Sequence, residues 1–324
     1  MTIFQRYIKN PILVPNKDNW WESKAVFNCS VSYDGNSVHM LYRAIGEYDY
    51  YISRIGYAHS CDGFQFNRRK KIAICQTEDY EIFGMEDPRL TQIDNKIFIT
   101  YVVLSDYVKN NPKIYSALTV TKDYYKFTKL GIITSNFDNN KDVIFFPEKF
   151  DLDSNLSKNG SYLKLHRPSN WSKSNSNFQS IKPSIWLSIS DSEFTFTDSI
   201  LLLEPKQDWE ELKIGSGPSP IKTKDGWLLI YHGVDKEKIY RVGAAILDLK
   251  DPRKVIARTK TPLLEPIEKY EREGDVNNVV FPTGIAVMDK KLFLYYGGAD
   301  KSCCLATANI DELIEYIMAD KIKD

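Results

Sequence analysis

The sequence predicts an all-β fold, a five-bladed β-propeller with a short C-terminal helix, on three observations. A short apolar strand ending around a tyrosine or leucine recurs five times, as Val38–Arg43, Ile97–Tyr101, Tyr162–His166, Trp227–His232 and Leu292–Tyr296. Taken at positions 42, 101, 165, 231 and 295, the steps are 59, 64, 66 and 64 residues, the span of one supersecondary unit. A second strand follows each of these in phase and ends in a Ser/Thr/Asp turn. Helix signals are scarce throughout. Five units of about four short strands each suit a propeller, where radial repetition leaves only short, protected edges. A β-sandwich or solenoid with accidental periodicity is the competing architecture.

The elements follow in order. The stretch Met1–Trp21 has no apolar run of the kind a secretory leader needs. The first unit joins Val38–Arg43 to Gly56–Phe64, and the second joins Ile97–Tyr101 to Ala117–Tyr124. The third joins Tyr162–His166 to Trp186–Ser192, the fourth Trp227–His232 to Ala244–Asp251, and the fifth Leu292–Tyr296 to Cys304–Asn309. Alternating apolar and polar residues bounded by Asp, Gly and Ser are the strand-and-turn signature. Asp151–Gly160 and Pro168–Ser180, rich in Ser and Asn, read as loops, either overhanging a site or simply solvated. Ile310–Met318 carries apolar residues at helical spacing, with Asn309 as its N-cap. It is expected to pack outside the last blade or at a subunit contact. No Pro/Gly/Ser-rich linker divides the chain, so residues 1–324 read as a single domain.

Bulk composition narrows the partners. The 43 basic and 43 acidic residues cancel, which argues against nucleic acid or an anionic membrane as partner. Five irregularly spaced cysteines make no disulfide framework, and Cys303-Cys304 has no CxxC partner. The four histidines, at 39, 59, 166 and 232, lack metal-ligand spacing, so neither a metal nor an organic cofactor is expected. No stretch approaches 18 apolar residues, and a cytoplasmic location is expected.

Chemistry should gather where blades converge. If the tyrosine-type strands line the channel, their ends bring together Arg43, His166-Arg167, His232 and Asp300. Just before the second of them lies Gly84-Met85-Glu86-Asp87-Pro88-Arg89, a compact charged string. Pro88 forces Asp87 out of the right-handed α region and fixes the direction of its carboxylate. The string suits either a catalytic acid or a turn in which Arg89 pairs with a carboxylate. Arg167, Lys213 and His232 form a cationic set that only the fold can assemble, with Gly215 and Gly217 allowing close backbone approach to a ligand. Arginine's planar fork suits phosphate or carboxylate, and lysine adds a point charge. An inverting hydrolase needs two carboxylates, one of them to activate water. A phosphorolytic enzyme needs only the acid, because phosphate is already a nucleophile and requires a cationic cradle. The rival reading is scattered cations paired with acidic neighbours.

These strings resemble glycoside hydrolase family 130, the β-mannoside phosphorylases and their relatives. The resemblance runs through Asn10-Pro11-Ile12-Leu13, Trp21-Glu22, Val26-Phe27-Asn28, Leu41-Tyr42-Arg43-Ala44 and Glu86-Asp87-Pro88-Arg89. It continues through Phe146-Pro147-Glu148-Lys149, His166-Arg167-Pro168, Lys213 to Asp235, and Tyr240 to Ala245. Val279-Val280-Phe281-Pro282 and Tyr295 to Asp300 complete it. It implies a five-bladed propeller, with Asp87 as the acid whose proton reaches the glycosidic oxygen through a mannose hydroxyl. It places phosphate on Arg167, Lys213 and His232. Asn28, Arg43, Tyr240, Phe281 and Asp300 are implied to contact the mannosyl ring, and Arg89 and His166 join that substrate set. Cys29, Asn277 and Lys141-Asp142 depart from the family pattern, the last where some members place a phosphate-contacting asparagine.

The expected activity is inverting phosphorolysis of a non-reducing β-mannosyl unit, β-1,2- or β-1,4-linked, giving α-mannose 1-phosphate. A hydrolase of the same family is the alternative, with Asp275 or Glu148 as the nearest candidates for a base. A non-catalytic glycan-binding propeller is the third reading. Trp171 is a candidate to stack on an acceptor sugar. A homo-oligomer whose partner subunit completes the acceptor side is compatible with the sequence.

Overall fold

Five antiparallel sheets account for the five repeats. The computed structural model describes residues 3–106, 113–134, 139–152, 160–168, 182–192 and 194–322. Most of the loops expected at 151–160 and 168–180, with Trp171, therefore lies outside the described residues. Blade one orders Ala25–Tyr33, Val38–Ile45, Ser53–Ser60 and Asn67–Arg68 from channel to rim. Blade two is Met85–Ile93, Lys96–Asp106, Lys113–Thr121 and Thr128–Ile132. Blade three is Asn140–Phe145, Tyr162–Pro168, Ile185–Ser192 and Thr195–Leu203. Blade four is Lys213–Ser216, Trp227–Val234, Tyr240–Leu247 and Val255–Arg258, with Ile221–Lys222 also paired to its second strand.

Blade five is Val280–Met288, Lys291–Gly298 and Ser302–Asn309, and its rim strand is Gln5–Arg6 from the other end of the chain. Gln5 and Arg6 pair with Thr307 and Ala306, so the first residues close the ring on the last blade. The helix Ile310–Met318 forms as expected, and the Asn309 side chain accepts from the amides of Asp311 and Glu312. Its buried Leu313, Ile314 and Ile317 pack with Ala244 and Ala257 of blade four as well as Ala308 of blade five. It thus seals the junction of the last two blades, not the outside of the last one alone. Among the described residues, no helix is long and apolar enough to cross a membrane.

The tyrosine-type strands are the second strand of each blade, not the innermost. They are the most evenly apolar because both faces are covered by neighbouring blades. The strands that line the channel precede them, and they contact one another around the axis. Three of these channel strands carry a bulge at one equivalent place, between Phe27 and Ser30, Glu86 and Arg89, and Lys141 and Ile144. Each bulge sets a residue in the left-handed region: Asn28 at φ 49°, Asp87 at φ 50° and Asp142 at φ 55°. Asn and Asp tolerate that conformation better than other side chains. A bulge bends the strand and re-aims its side chain.

The repeated tyrosine also has a physical cause. Tyr42, Tyr101, Tyr231 and Tyr296 donate to Glu22, Glu81, Glu210 and Glu271, at 2.7, 2.6, 2.6 and 2.8 Å. Each glutamate is buried and sits in the short helical turn that leads into a channel strand. A cation from the rim strand meets each of them: Arg68, Lys129, Arg258 and Arg6. Position 296, not 295, is therefore the fifth-blade equivalent. Blade three has Leu165 at this place, buried in an apolar cluster.

Candidate active site

Strand direction decides which residues meet. Channel strands begin, and second strands end, at one mouth of the ring. Asn28, Asp87, Asp142 and Lys213 lie early in the former, while Arg43, Arg167 and His232 lie late in the latter. Tyr240 begins a third strand at the same mouth. Asp300 follows a second strand, held at φ 49°. Register sets Phe27 beside Arg43, Lys141 beside Arg167, Gly215 beside His232 and Phe281 beside Gly297.

An acidic group forms on blades one, two and five. Asp87 Oδ1 accepts from Asn28 Nδ2 at 2.8 Å and from Arg43 Nη1 at 3.3 Å. Arg43 also donates to Glu86 at 2.7 Å and to the Ser53 hydroxyl at 2.8 Å. Burial pushes the Asp300 carboxyl up to about 7 against the pull of Arg43, and the nearby Asp87 and Glu86 charges add to the rise. Burial works against the Arg43 charge, but Glu86, Asp87 and Asp300 outweigh it and raise its pKa. Asp300 is therefore the carboxyl of this group that takes up a proton near neutral pH.

A cationic group forms on blades three and four. Arg167 Nε donates to Asp142 Oδ2 at 2.6 Å, and His232 Nε2 lies 3.8 Å from the same oxygen. Lys213 Nζ sits 5.1 Å from the centre of the Tyr240 ring. Burial, then the Arg167 charge, lowers Lys213 to about 8 despite the opposing pull of Asp142. Burial likewise takes His232 down to about 3, so its imidazole is neutral at physiological pH. Its Nδ1 is buried with no partner among the described residues, as is Asn28 Oδ1 in the acidic group. Such orphans mark places where a bound polar group would be satisfied.

An aromatic wall joins the two groups. Phe281 lies 4.6 Å from the His232 ring and 6.0 Å from Tyr240, and Tyr240 stacks on His232 at 5.9 Å. The Tyr240 hydroxyl, pushed to about 12 mainly by burial, feels Arg167 and Asp142 on one side and Asp300 and Asp87 on the other. The fold thus brings Asp87, Asn28, Arg43, Asp300, Tyr240, Phe281, Arg167, Lys213 and His232 to a single mouth.

Two expected substrate residues are engaged with protein groups instead. His166 is fully buried, and successive strand residues face opposite ways. It turns into blade three, where Asn140, Ser188 and Ser199 hold it, while Arg167 faces Asp142. Arg89 is buried across the axis. It donates to the carbonyls of Ser216 and Gly217 and to Asp142 at 3.2 Å, tying blade two to blades three and four. Gly215 serves protein contacts, since a Cβ there would collide with Asp142 and His232. Gly217 also packs on protein: its Cβ would meet the Ile230 carbonyl at 2.7 Å. Of the two candidate bases, Asp275 spends its oxygens on Tyr48, Tyr51 and Lys301. Glu148 follows the far end of its strand and pairs with Lys222 at 2.8 Å.

Asp142 is the residue that sequence reasoning did not assign. Burial resists its charge, but Arg167, His232 and Arg89 hold it well below the usual carboxylate range. It positions Arg167 and His232 from beneath. The available signal was spacing: Asn28, Asp87 and Asp142 recur at steps of 59 and 55 residues. Among the described residues no group of three or more His, Cys, Asp and Glu side chains is placed to hold a metal ion.

The family described as beta-1,4-mannooligosaccharide phosphorylase matches residues 5–319. The 1,2-beta-oligomannan phosphorylase of Thermoanaerobacter sp. (strain X514) is 40% identical over 306 residues, 93% of this chain and 95% of that protein. A beta-1,2-mannobiose phosphorylase of the same organism is 39% identical over 309 residues, 91% and 93% of the two chains. Among solved structures, the Listeria innocua beta-1,2-mannobiose phosphorylase in complex with beta-1,2-mannobiose superposes with a TM-score of 0.83 and 30% identity. That match covers 98% of this chain and 99% of the other.

Proposed function

The chain belongs to glycoside hydrolase family 130, and on that footing we propose that it is an inverting β-mannoside phosphorylase acting on β-1,2-linked manno-oligosaccharides. The observation that carries this reading is the separation of charge across the aromatic wall. Asp87, Glu86 and Asp300 surround Arg43 on one side, and Arg167, Lys213 and His232 surround Asp142 on the other. A mannosyl ring against Phe281 and Tyr240 would present one face to each.

Phosphate held by Arg167 and Lys213 attacks the anomeric carbon, and a C–O bond to phosphate forms as the glycosidic C–O bond breaks. The electron pair of the broken bond goes to the leaving oxygen, which receives the proton supplied by Asp87. The products are α-mannose 1-phosphate and an oligosaccharide one unit shorter, and the balance requires no further reactant. Positioned proton donation of this kind is worth about 10²–10⁴-fold in rate. Oriented cations add the larger electrostatic share where water is excluded. The β-1,2 preference draws on the relatives at 39 and 40% identity, whose names carry that linkage.

The test is incubation with β-1,2-mannobiose, with and without inorganic phosphate. Release of mannose 1-phosphate only when phosphate is present is expected, and cleavage indifferent to phosphate would overturn the reading. Asp87→Asn keeps a side chain suited to the left-handed backbone. It should lower turnover by about 10²–10⁴-fold without altering the circular dichroism spectrum.

A further inference from the structure

We propose that the stacked pair Tyr48 and Tyr51 is the platform that seats the acceptor sugar, an inference that rests on the phosphorolysis reading. The two rings lie 6.1 Å apart with 14° between their planes. The Tyr51 ring is 5.8 Å from the guanidinium carbon of Arg43, the residue that also contacts Asp87. The platform is therefore one side chain away from the proton donor.

The pair, of exposed Tyr48 and half-buried Tyr51, is built rigidly. Asp275, from blade five, accepts from the Tyr48 hydroxyl at 3.0 Å and the Tyr51 hydroxyl at 3.3 Å. Lys301 donates to Asp275 at 2.9 Å and to the Tyr48 hydroxyl. The Glu47 carboxylate accepts from the amides of Tyr50 at 2.8 Å and Ile52 at 3.1 Å, which fixes the loop from below. Tyr51 holds φ 54°, a costly conformation for a bulky side chain. Tyr48 nevertheless remains 48% exposed. The Lys301 and Lys24 ammonium groups lie 5.3 and 5.8 Å from its ring centre, and the part of the ring left exposed beside them suits the slightly positive C–H face of a pyranose, with Asp275 and Lys301 as polar groups for the hydroxyls.

Direction supports the same assignment. In an inverting displacement the nucleophile and the leaving group lie on opposite sides of the reacting carbon. The cationic set belongs to blades three and four, and in a ring of five the blade opposite their junction is blade one. Tyr48 and Tyr51 follow the second strand of blade one. The leaving sugar therefore departs toward them.

Synthesis from α-mannose 1-phosphate and mannobiose tests the platform with Tyr48→Ala and Tyr48→Phe. Tyr48→Ala should raise KM for the acceptor about tenfold, equivalent to about 1.4 kcal/mol. KM for α-mannose 1-phosphate should stay within about twofold, and Tyr48→Phe, which keeps the ring, should restore most of the acceptor affinity. An unchanged acceptor KM, or an equal rise in both constants, would overturn the proposal. Calorimetric titration of both variants with β-1,2-mannobiose, without phosphate, provides the second readout. If the wild-type protein makes no mannose 1-phosphate, the phosphorolysis reading falls, and retained sugar binding by Tyr48→Ala would separately sink the platform.

Discussion

Lys213 is the cation whose charge is least secure. Burial and the neighbouring Arg167 bring it to about 8, so it is protonated below that pH and neutral above it. The proposed phosphate site therefore loses one of its charges as pH rises from 7 to 9. KM for phosphate should climb across that interval, while the KM for the sugar, bound on the other side of the wall, should move less. Lys213→Met should bind phosphate weakly at every pH and show no such climb. A KM for phosphate that is flat with pH in the wild-type protein would remove Lys213 from the site. Its neighbours were legible as residue types, but their packing was not. His166 and Arg167 are adjacent in sequence, and only the phase of their strand sends one into blade three and the other to the mouth.

At the scale of elements, the tyrosine repeat reported a buried device before it reported a strand. Tyr231 donates to Glu210 at 2.6 Å, and Arg258 donates to both, at 3.1 and 2.7 Å. Tyr231→Phe removes one donor from a buried carboxylate and should cost about 1–3 kcal/mol. Leu165→Ala at the equivalent place of blade three removes only apolar packing, at about 2–5 kcal/mol. Urea denaturation distinguishes the causes. A Glu210→Gln background, which removes the buried charge but keeps the shape, should shrink the Tyr231→Phe deficit and leave the Leu165→Ala deficit unchanged. Equal Tyr231→Phe deficits in the two backgrounds would mean that the tyrosine matters for its ring alone. The channel strands escaped detection for a related reason. Bulges at Asn28, Asp87 and Asp142 break the alternation on which strand recognition depends, so the fully buried second strands stood out instead. The strand count and the charged strings were readable in one dimension. Which strand faces the axis depended on packing between blades.

For the whole molecule, the critical question is what keeps a ring of five blades shut. The fifth blade takes its rim strand from Gln5–Arg6, and Arg6 reproduces the part that Arg258 plays in blade four. Arg6 Nε donates to Glu271 at 2.7 Å and its Nη2 donates to the same carboxylate at 3.0 Å. Glu271 has a fully buried side chain and also accepts from Tyr296 at 2.8 Å and from the amides of Ile267 and Glu268. Removing either arginine leaves a buried carboxylate without its cation, a loss of about 3–5 kcal/mol. The two sites differ in connectivity. Arg258 is tethered to its own blade by the preceding strand, so Arg258→Ala weakens the blade in place. Arg6 arrives from the other end of the described chain, on a segment held by buried Phe4 and by the pairing of Gln5 and Arg6 with Thr307 and Ala306, and Arg6→Ala removes the ion pair that helps keep that segment closed. Both variants should lose comparable stability in urea, but only Arg6→Ala should expose the N-terminal strand to limited proteolysis under native conditions. On the proposed assignment, saturating phosphate would bind blades three and four and stabilise the folded protein by mass action, without re-forming the blade-five closure. It should raise the unfolding midpoint of both variants and leave the proteolysis of Arg6→Ala unchanged. Equal protease resistance in the two variants would show that the ring is held by packing between blades and not by its closing strand.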